Sequence, residues 1–145
     1  MNEILKLNKE HKEALRYRNL ADKAIYEAEA TIEIRQIVER QRKAEEGKDP
    51  LALIQDSGSQ SFSDVKKGWA TMVFNNYDEI KWSNPDVSIE FKGRNNAEVS
   101  LVYIATAVIR STGQKRPIHQ GTKVWTLEKQ GDSWKIIKEE VKSII

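Results

Sequence analysis

The sequence contains no cysteine, which excludes disulfides, thiolate metal ligands and thiol nucleophiles together. Histidine occurs only at His11 and His119, too far apart in the chain to supply a metal-ligand spacing. There is no G-x-S-x-G elbow and no glycine-rich phosphate loop. An excess of one charge is also missing, since 24 Lys and Arg face 22 Asp and Glu for a net charge of +2. The basic footprint of a nucleic-acid-binding protein is therefore absent. The basic pairs in KKGW (66–69) and GQKRP (113–117) read as solvated surface. Long apolar runs are lacking too. Charges break the opening MNEILKLNKEHKEAL, which predicts neither a signal peptide nor a membrane span and leaves the cytoplasm as the expected location. No metal and no cofactor are expected.

What is present suits one well-charged globular domain with a real core. Residues 2–46 hold neither Pro nor Gly and are rich in Glu, Lys, Arg, Leu, Ala and Ile, which predicts one long helix. Ile4, Leu7, His11, Ala14, Arg18, Ala21, Ile25, Ala28 and Ile32 step by threes and fours onto one stripe. His11 and Arg18 interrupt that stripe, so it suits packing along the domain, a dimer or a partner better than a stable coiled coil. Gly47 is the expected C-terminal cap, and Asp49-Pro50 the N-cap and first residue of a short helix, PLALIQ. After the loop DSGSQS, Ser61-Phe62-Ser63-Asp64 fits a capping box. Val65, Trp69, Met72, Val73, Tyr77 and Ile80 then recur at helical spacing and predict a second helix with an apolar face.

Past SNPD the period changes from 3.6 to 2. Val87, Ile89 and Phe91 alternate with polar residues, GRNN (93–96) makes a turn, and 97–110 reads as a long strand apolar on both faces, as for a central strand. Pro117 suits only a strand start or an edge. In GTKVWTLEKQGDSWKIIKEE (121–140), Gly131-Asp132 predicts a two-residue II′ hairpin turn. That register sets Leu127 opposite Ile136, Trp125 opposite Lys138, Lys123 opposite Glu140 and Glu128 opposite Lys135. Trp125, Leu127, Trp134 and Ile136 then share one face. Helices followed by hairpin-linked strands define an α+β protein, with helices packed in the concave face of a curved antiparallel sheet.

The order of these elements, with AEEGKDPLALI, SDVKKGWATMVF, VSIEFKG, NAEVSLVYIATAVI and the tryptophan-bearing final hairpin, resembles the nuclear transport factor 2-like superfamily. These are cystatin-like α+β cones that include polyketide-cyclase-like and ketosteroid-isomerase-like proteins. The resemblance covers residues 31–145, with 1–30 as a helical extension continuous with the first helix. It implies a conical pocket and a homodimer through the outer sheet face, where Val102, Ile104 and Val108 are apolar. The expected pocket lining is Trp69, Val73, Tyr77, Tyr103, Ala105, Ala107, His119 and Trp125.

An isomerase of this kind needs a carboxylate base and an oxyanion-stabilising acid or tyrosine. The inward faces of 97–110 and 121–127 offer no Asp or Glu, and Asp86, Glu90 and Glu98 lie near strand starts. The expectation is accordingly a small apolar-ligand or dimerising scaffold module, with helix 1–30 available to a protein partner. The alternative is a small isomerase, cyclase or dehydratase using Tyr103, His119 and, as a third candidate, Asp86.

Overall fold

A computed structural model describes residues 2–143. Helix α1 (Asn2–Glu46) is unbroken. By its contacts the chain divides into two compact units between Glu33 and Ile34. In the first unit, the side chains of residues 3–25 are exposed without exception. In the second, α1 continues with Ile34, Ile37, Val38, Gln41, Ala44 and Glu45 buried at helical spacing.

The helix ends in a Schellman arrangement. The Asp49 amide donates to the Ala44 carbonyl at 2.9 Å and that of Lys48 to Glu45 at 3.2 Å. The left-handed residue is Lys48, with φ at 52°, rather than the expected Gly47. Asp49 caps α2 (Pro50–Leu53) as its composition predicts, accepting from the Ala52 amide. Helix α3 (Gln60–Asn76) begins two residues earlier than the capping box implied, because Ser59 is the residue that accepts from the Phe62 amide. Its buried face is Phe62, Lys66, Ala70 and Val73, whereas Val65 and Met72 are exposed.

The helical reading also ran too far. Tyr77–Trp82 is strand β1, so Tyr77 and Ile80 belong to the sheet; over so short a stretch, spacings of three and four do not exclude the alternation that buries Ile80 and Trp82. Strands β2 (Asp86–Phe91), β3 (Asn96–Ile109), β4 (Lys115–Gln130) and β5 (Ser133–Ser143) follow. All ladders among them are antiparallel. β1 and β2 share one edge of β3, and the order continues through β4 to β5. The segment after α2, expected as a plain loop, joins the sheet: Ser57 bridges Ile136, and the Gly58 amide donates to the Ile136 carbonyl at 2.8 Å. A Cβ on Gly58 would lie 2.6 Å from that of Lys135, so only glycine permits this approach.

β3 buries Ala97, Val99, Leu101, Tyr103, Ala105 and Ala107 on one face. Its other face, expected to be covered, leaves Val102 and Ile104 exposed on the single chain. Pro117 lies opposite Thr106, at an irregularity of the β3–β4 ladder rather than in regular pairing. The hairpin turn is as expected: Gly131 has φ at 62°, and Gln130 pairs with Ser133 across two residues.

The hairpin register holds for Leu127–Ile136 and Glu128–Lys135 and then slips. Between Thr126 and Leu127 a bulge gives β5 one extra residue, so Trp125 faces Glu139 and Lys123 faces Val141. Lys138 and Glu140 are turned out to solvent, where they pair with each other at 3.0 Å. The slip moves a carboxylate from the outer surface to the inner one.

Candidate functional site

Four charged side chains meet under the sheet. Lys66 comes from α3, Glu45 from α1, Lys123 from β4 and Glu139 from β5. Lys66 Nζ lies 2.8 Å from Glu139 Oε1 and 3.5 Å from Glu45 Oε1. Lys123 Nζ is held more loosely, 3.6 Å from Glu139 and 3.9 Å from Glu45. All four side chains are at most 6% exposed. Two tryptophans tie the carboxylates down: Trp125 Nε1 donates to Glu139 Oε1 at 2.9 Å, and Trp82 Nε1 donates to Glu45 Oε2.

Taking each ion out of water costs several kcal/mol, and mutual attraction offsets this only where geometry and hydrogen bonding are good. The fields of Lys66 and Lys123, with the hydrogen bonds from Lys66 and Trp125, prevail at Glu139. Burial alone would raise its pKa, yet it is lowered from 4.5 to about 2. Glu139 is therefore ionised at neutral pH.

An aromatic stack continues from the cluster. Trp82 stacks on Tyr103 with ring centroids 4.0 Å apart, and Tyr103 lies 4.3 Å from the His119 imidazole. Lys123 Nζ is 5.4 Å from the Tyr103 ring centroid and 5.9 Å from that of Trp82, within cation–π range. Burial first, and then the negative charge of Glu45, raises the Tyr103 pKa well above its usual value, so the phenol keeps its proton. Its hydroxyl has no hydrogen-bond partner among the described residues, nor do Glu45 Oε1 and Gln41 Oε1. For His119, burial and then Lys123 lower the pKa below 6.5. Its Nε2 lies 3.2 Å from the Gly121 carbonyl, which can only accept. Nε2 thus carries the proton, leaving Nδ1 of the neutral ring as an acceptor.

The expected pocket residues separate into two groups. Tyr103, His119 and Trp125 belong to the polar end. Val73 and Ala107 pack with Ile80 in an apolar cluster, against which Trp69 and Tyr77 also rest. Ala105 links the ends, opposite both Trp82 and His119. Asp86 is not brought in; it is exposed and pairs with Val102. His119, at the end of a loop-flanked segment, is nevertheless buried.

The expectation of an interior without carboxylates is overturned. Glu45 lies on the buried face of α1 with Ile34, Ile37, Val38, Gln41 and Ala44, not on the Ile4–Ile32 stripe marked in the sequence, whose Ile32 is exposed. Glu139 enters only through the bulge. Lys66, in the KKGW stretch expected to be solvated surface, is buried instead, because it lies four residues beyond Phe62 on the inward face of α3. Lys123 is inward by alternation with Trp125. A groove of about 380 Å³ bounded by Asn75, Asn76, Tyr77, Ile109, Arg110 and Ser111 includes one expected pocket residue, Tyr77, and none of the four charged side chains in the buried cluster. Among the described residues no cluster of acidic or histidine side chains could hold a metal ion, and no helix is long and apolar enough to cross a membrane.

A five-stranded antiparallel sheet curved over helices, in this order, is the nuclear transport factor 2-like fold. Solved structures carry the same architecture. A candidate scytalone dehydratase from Novosphingobium aromaticivorans superposes with a TM-score of 0.71 at 16% identity, covering 84% of this chain and 89% of that one. A nuclear transport factor 2-like superfamily protein from Salmonella enterica gives 0.68 at 16% identity, covering 80% and 92%. A hexachlorocyclohexane dehydrochlorinase from Novosphingobium barchaimii gives 0.67 at 11% identity, covering 84% and 91%. No family model and no curated protein matches the sequence. Such identities carry the fold and leave the activity to the site.

Proposed function

We propose that the cone is a small-ligand site for a polar, hydrogen-bonding molecule. The observation that carries this is the Tyr103 hydroxyl, buried, protonated and without a partner beside an ionised cluster. A buried hydroxyl left unpaired costs about 1–3 kcal/mol, a cost that a ligand acceptor removes. Glu45 Oε1, ion-paired with Lys66 and Lys123 but without a hydrogen bond, can accept one from a donor. A molecule with a carbonyl or carboxylate oxygen and a nearby hydroxyl or amine meets both requirements, whereas a wholly apolar one meets neither. The test is Tyr103→Phe. It leaves the unliganded chain as stable as before or stabler by about 1 kcal/mol, and it weakens binding of small hydroxy- and keto-acids in a thermal-shift panel by about ten-fold. A clear loss of unliganded stability would mean that the hydroxyl already has its partner, and the reading fails.

The adjacency of Tyr103 and His119 favours a second reading, an isomerase, cyclase or dehydratase. Here His119 Nδ1 takes a proton from carbon, while the Tyr103 O–H, assisted by the Lys123 charge, stabilises the developing oxyanion. Exchange of a bound ligand's C–H hydrogen in D₂O, lost in His119→Gln with binding retained, distinguishes this from simple binding.

The homodimer through the outer sheet face is likewise a proposal, supported by the exposed Val102 and Ile104. Analytical ultracentrifugation of Ile104→Lys tests it, and a sedimentation coefficient unchanged from that of the parent chain argues against it.

A further inference from the structure

We infer that the N-terminal part of α1 pairs antiparallel with the same segment of a second copy of this chain. Ile4, Leu7 and Ile25 are each more than half exposed, as is Ile32 further along the same stripe. A helix of this kind gains most of its stability from packing an apolar stripe. This stripe exposes large aliphatic side chains at both ends, with His11, Ala14, Arg18 and Ala21 between them, a pattern that suits an interaction surface.

Charge selects the occupant. Residues 2–18 carry five Lys or Arg against three Glu, while 19–33 carry one Lys against four Asp or Glu. Two copies laid antiparallel set the basic half of each on the acidic half of the other. Laid parallel, they oppose like charges throughout. The seam leads to the same choice. Its positions alternate between a set holding Ile4, His11, Arg18 and Ile25 and a set holding Leu7 and alanines at seven-residue intervals. A parallel pair stacks Arg18 on Arg18 and His11 on His11. An antiparallel pair places Arg18 of one copy over Ala14 or Ala21 of the other, where its stem fits and its head reaches solvent. Complementary charge on this pattern fixes orientation more than it adds affinity.

The test uses the full chain, which has no native cysteine to interfere with labelling. With Ile104→Lys in place to remove any outer-face contact, light scattering should still give twice the chain mass of 16.7 kDa, and the remaining measurements use that background. Spin labels on Lys6→Cys should lie about 30–40 Å apart, from the 1.5 Å rise per residue in an antiparallel pair, against about 10–15 Å in a parallel one. Reversing Lys6, Lys9 and Lys12 to Glu should weaken association by about ten-fold or more at low salt. Adding Asp22→Lys and Glu29→Lys should restore it. Circular dichroism of each variant confirms that the helix persists. A monomer at every concentration, as expected for a helix reserved for a different protein, overturns the inference. So does a short label distance, or a dimer indifferent to these charge reversals.

Discussion

The concave side of the sheet holds two interiors that share strands but not chemistry. At one end Val73, Ile80 and Ala107 close together, with Trp69, Phe74, Tyr77 and Ile118 packed around them. At the other, Glu45, Lys66, Lys123 and Glu139 are buried as well, yet joined by ion pairs and indole hydrogen bonds. The apolar end gains from each buried methylene. In the charged end attraction is set against desolvation, so its retention is more readily explained by what the groups do than by what they stabilise.

The two ends should therefore fail differently. Lys66→Met leaves two buried carboxylates facing only the loosely held Lys123, and should cost about 3–5 kcal/mol in urea unfolding at unchanged m. Removing Glu139 as well, as Lys66→Met with Glu139→Leu, should recover most of that loss. The comparator Ile80→Ala should cost about 2–4 kcal/mol from lost burial and the resulting cavity, with no second substitution of this kind to rescue it. If Lys66→Met costs no more than a surface change, the charged end is open to water and the contrast disappears.

Acid sharpens the comparison. Glu139 binds its proton less tightly in the folded protein, where its pKa is about 2, than as a free side chain at 4.5. The folded form is thus favoured at pH values above 4.5, and this contribution, about 3 kcal/mol, is lost as pH falls through about 2. Glu139→Gln should flatten this limb of a stability–pH curve, while Ile80→Ala should shift the curve down without changing its shape.

The apolar end was largely legible in the sequence and the charged end was not. Apolar residues announce their face by period, and Val73, Ala107, Trp125 and Leu127 were placed by that rule. Glu45, Lys66 and Lys123 occupy inward positions of regular elements, but their chemistry reads as solvent-facing unless position is allowed to outrank residue type. Glu139 differs in kind. An uninterrupted ladder puts it outside, and only the extra residue between Leu127 and Trp125's partners turns it in; KIIKEE gives no glycine or proline to mark the bulge. The Ser59 cap and the start of β1 were missed for a related reason, since neighbouring residues offered equally good local signals and packing chose between them.

The smallest effect is the most informative about the site. Because burial and then Lys123 lower the His119 pKa, the unfolded chain takes up a proton below pH 6.5 that the folded chain refuses. Stability is thus unaffected by this group above that pH and falls below it, by at most about 1.4 kcal/mol per pH unit for one proton. His119→Gln should remove this slope while leaving the Glu139 limb in place. Lys123→Met should act on the same titration from the other side: with the cation gone and both carboxylates still present, the His119 midpoint followed by NMR should move upward. An unchanged midpoint would mean that Lys123 does not act on the imidazole, and the Tyr103–His119 pair would then have to be considered apart from the ion cluster.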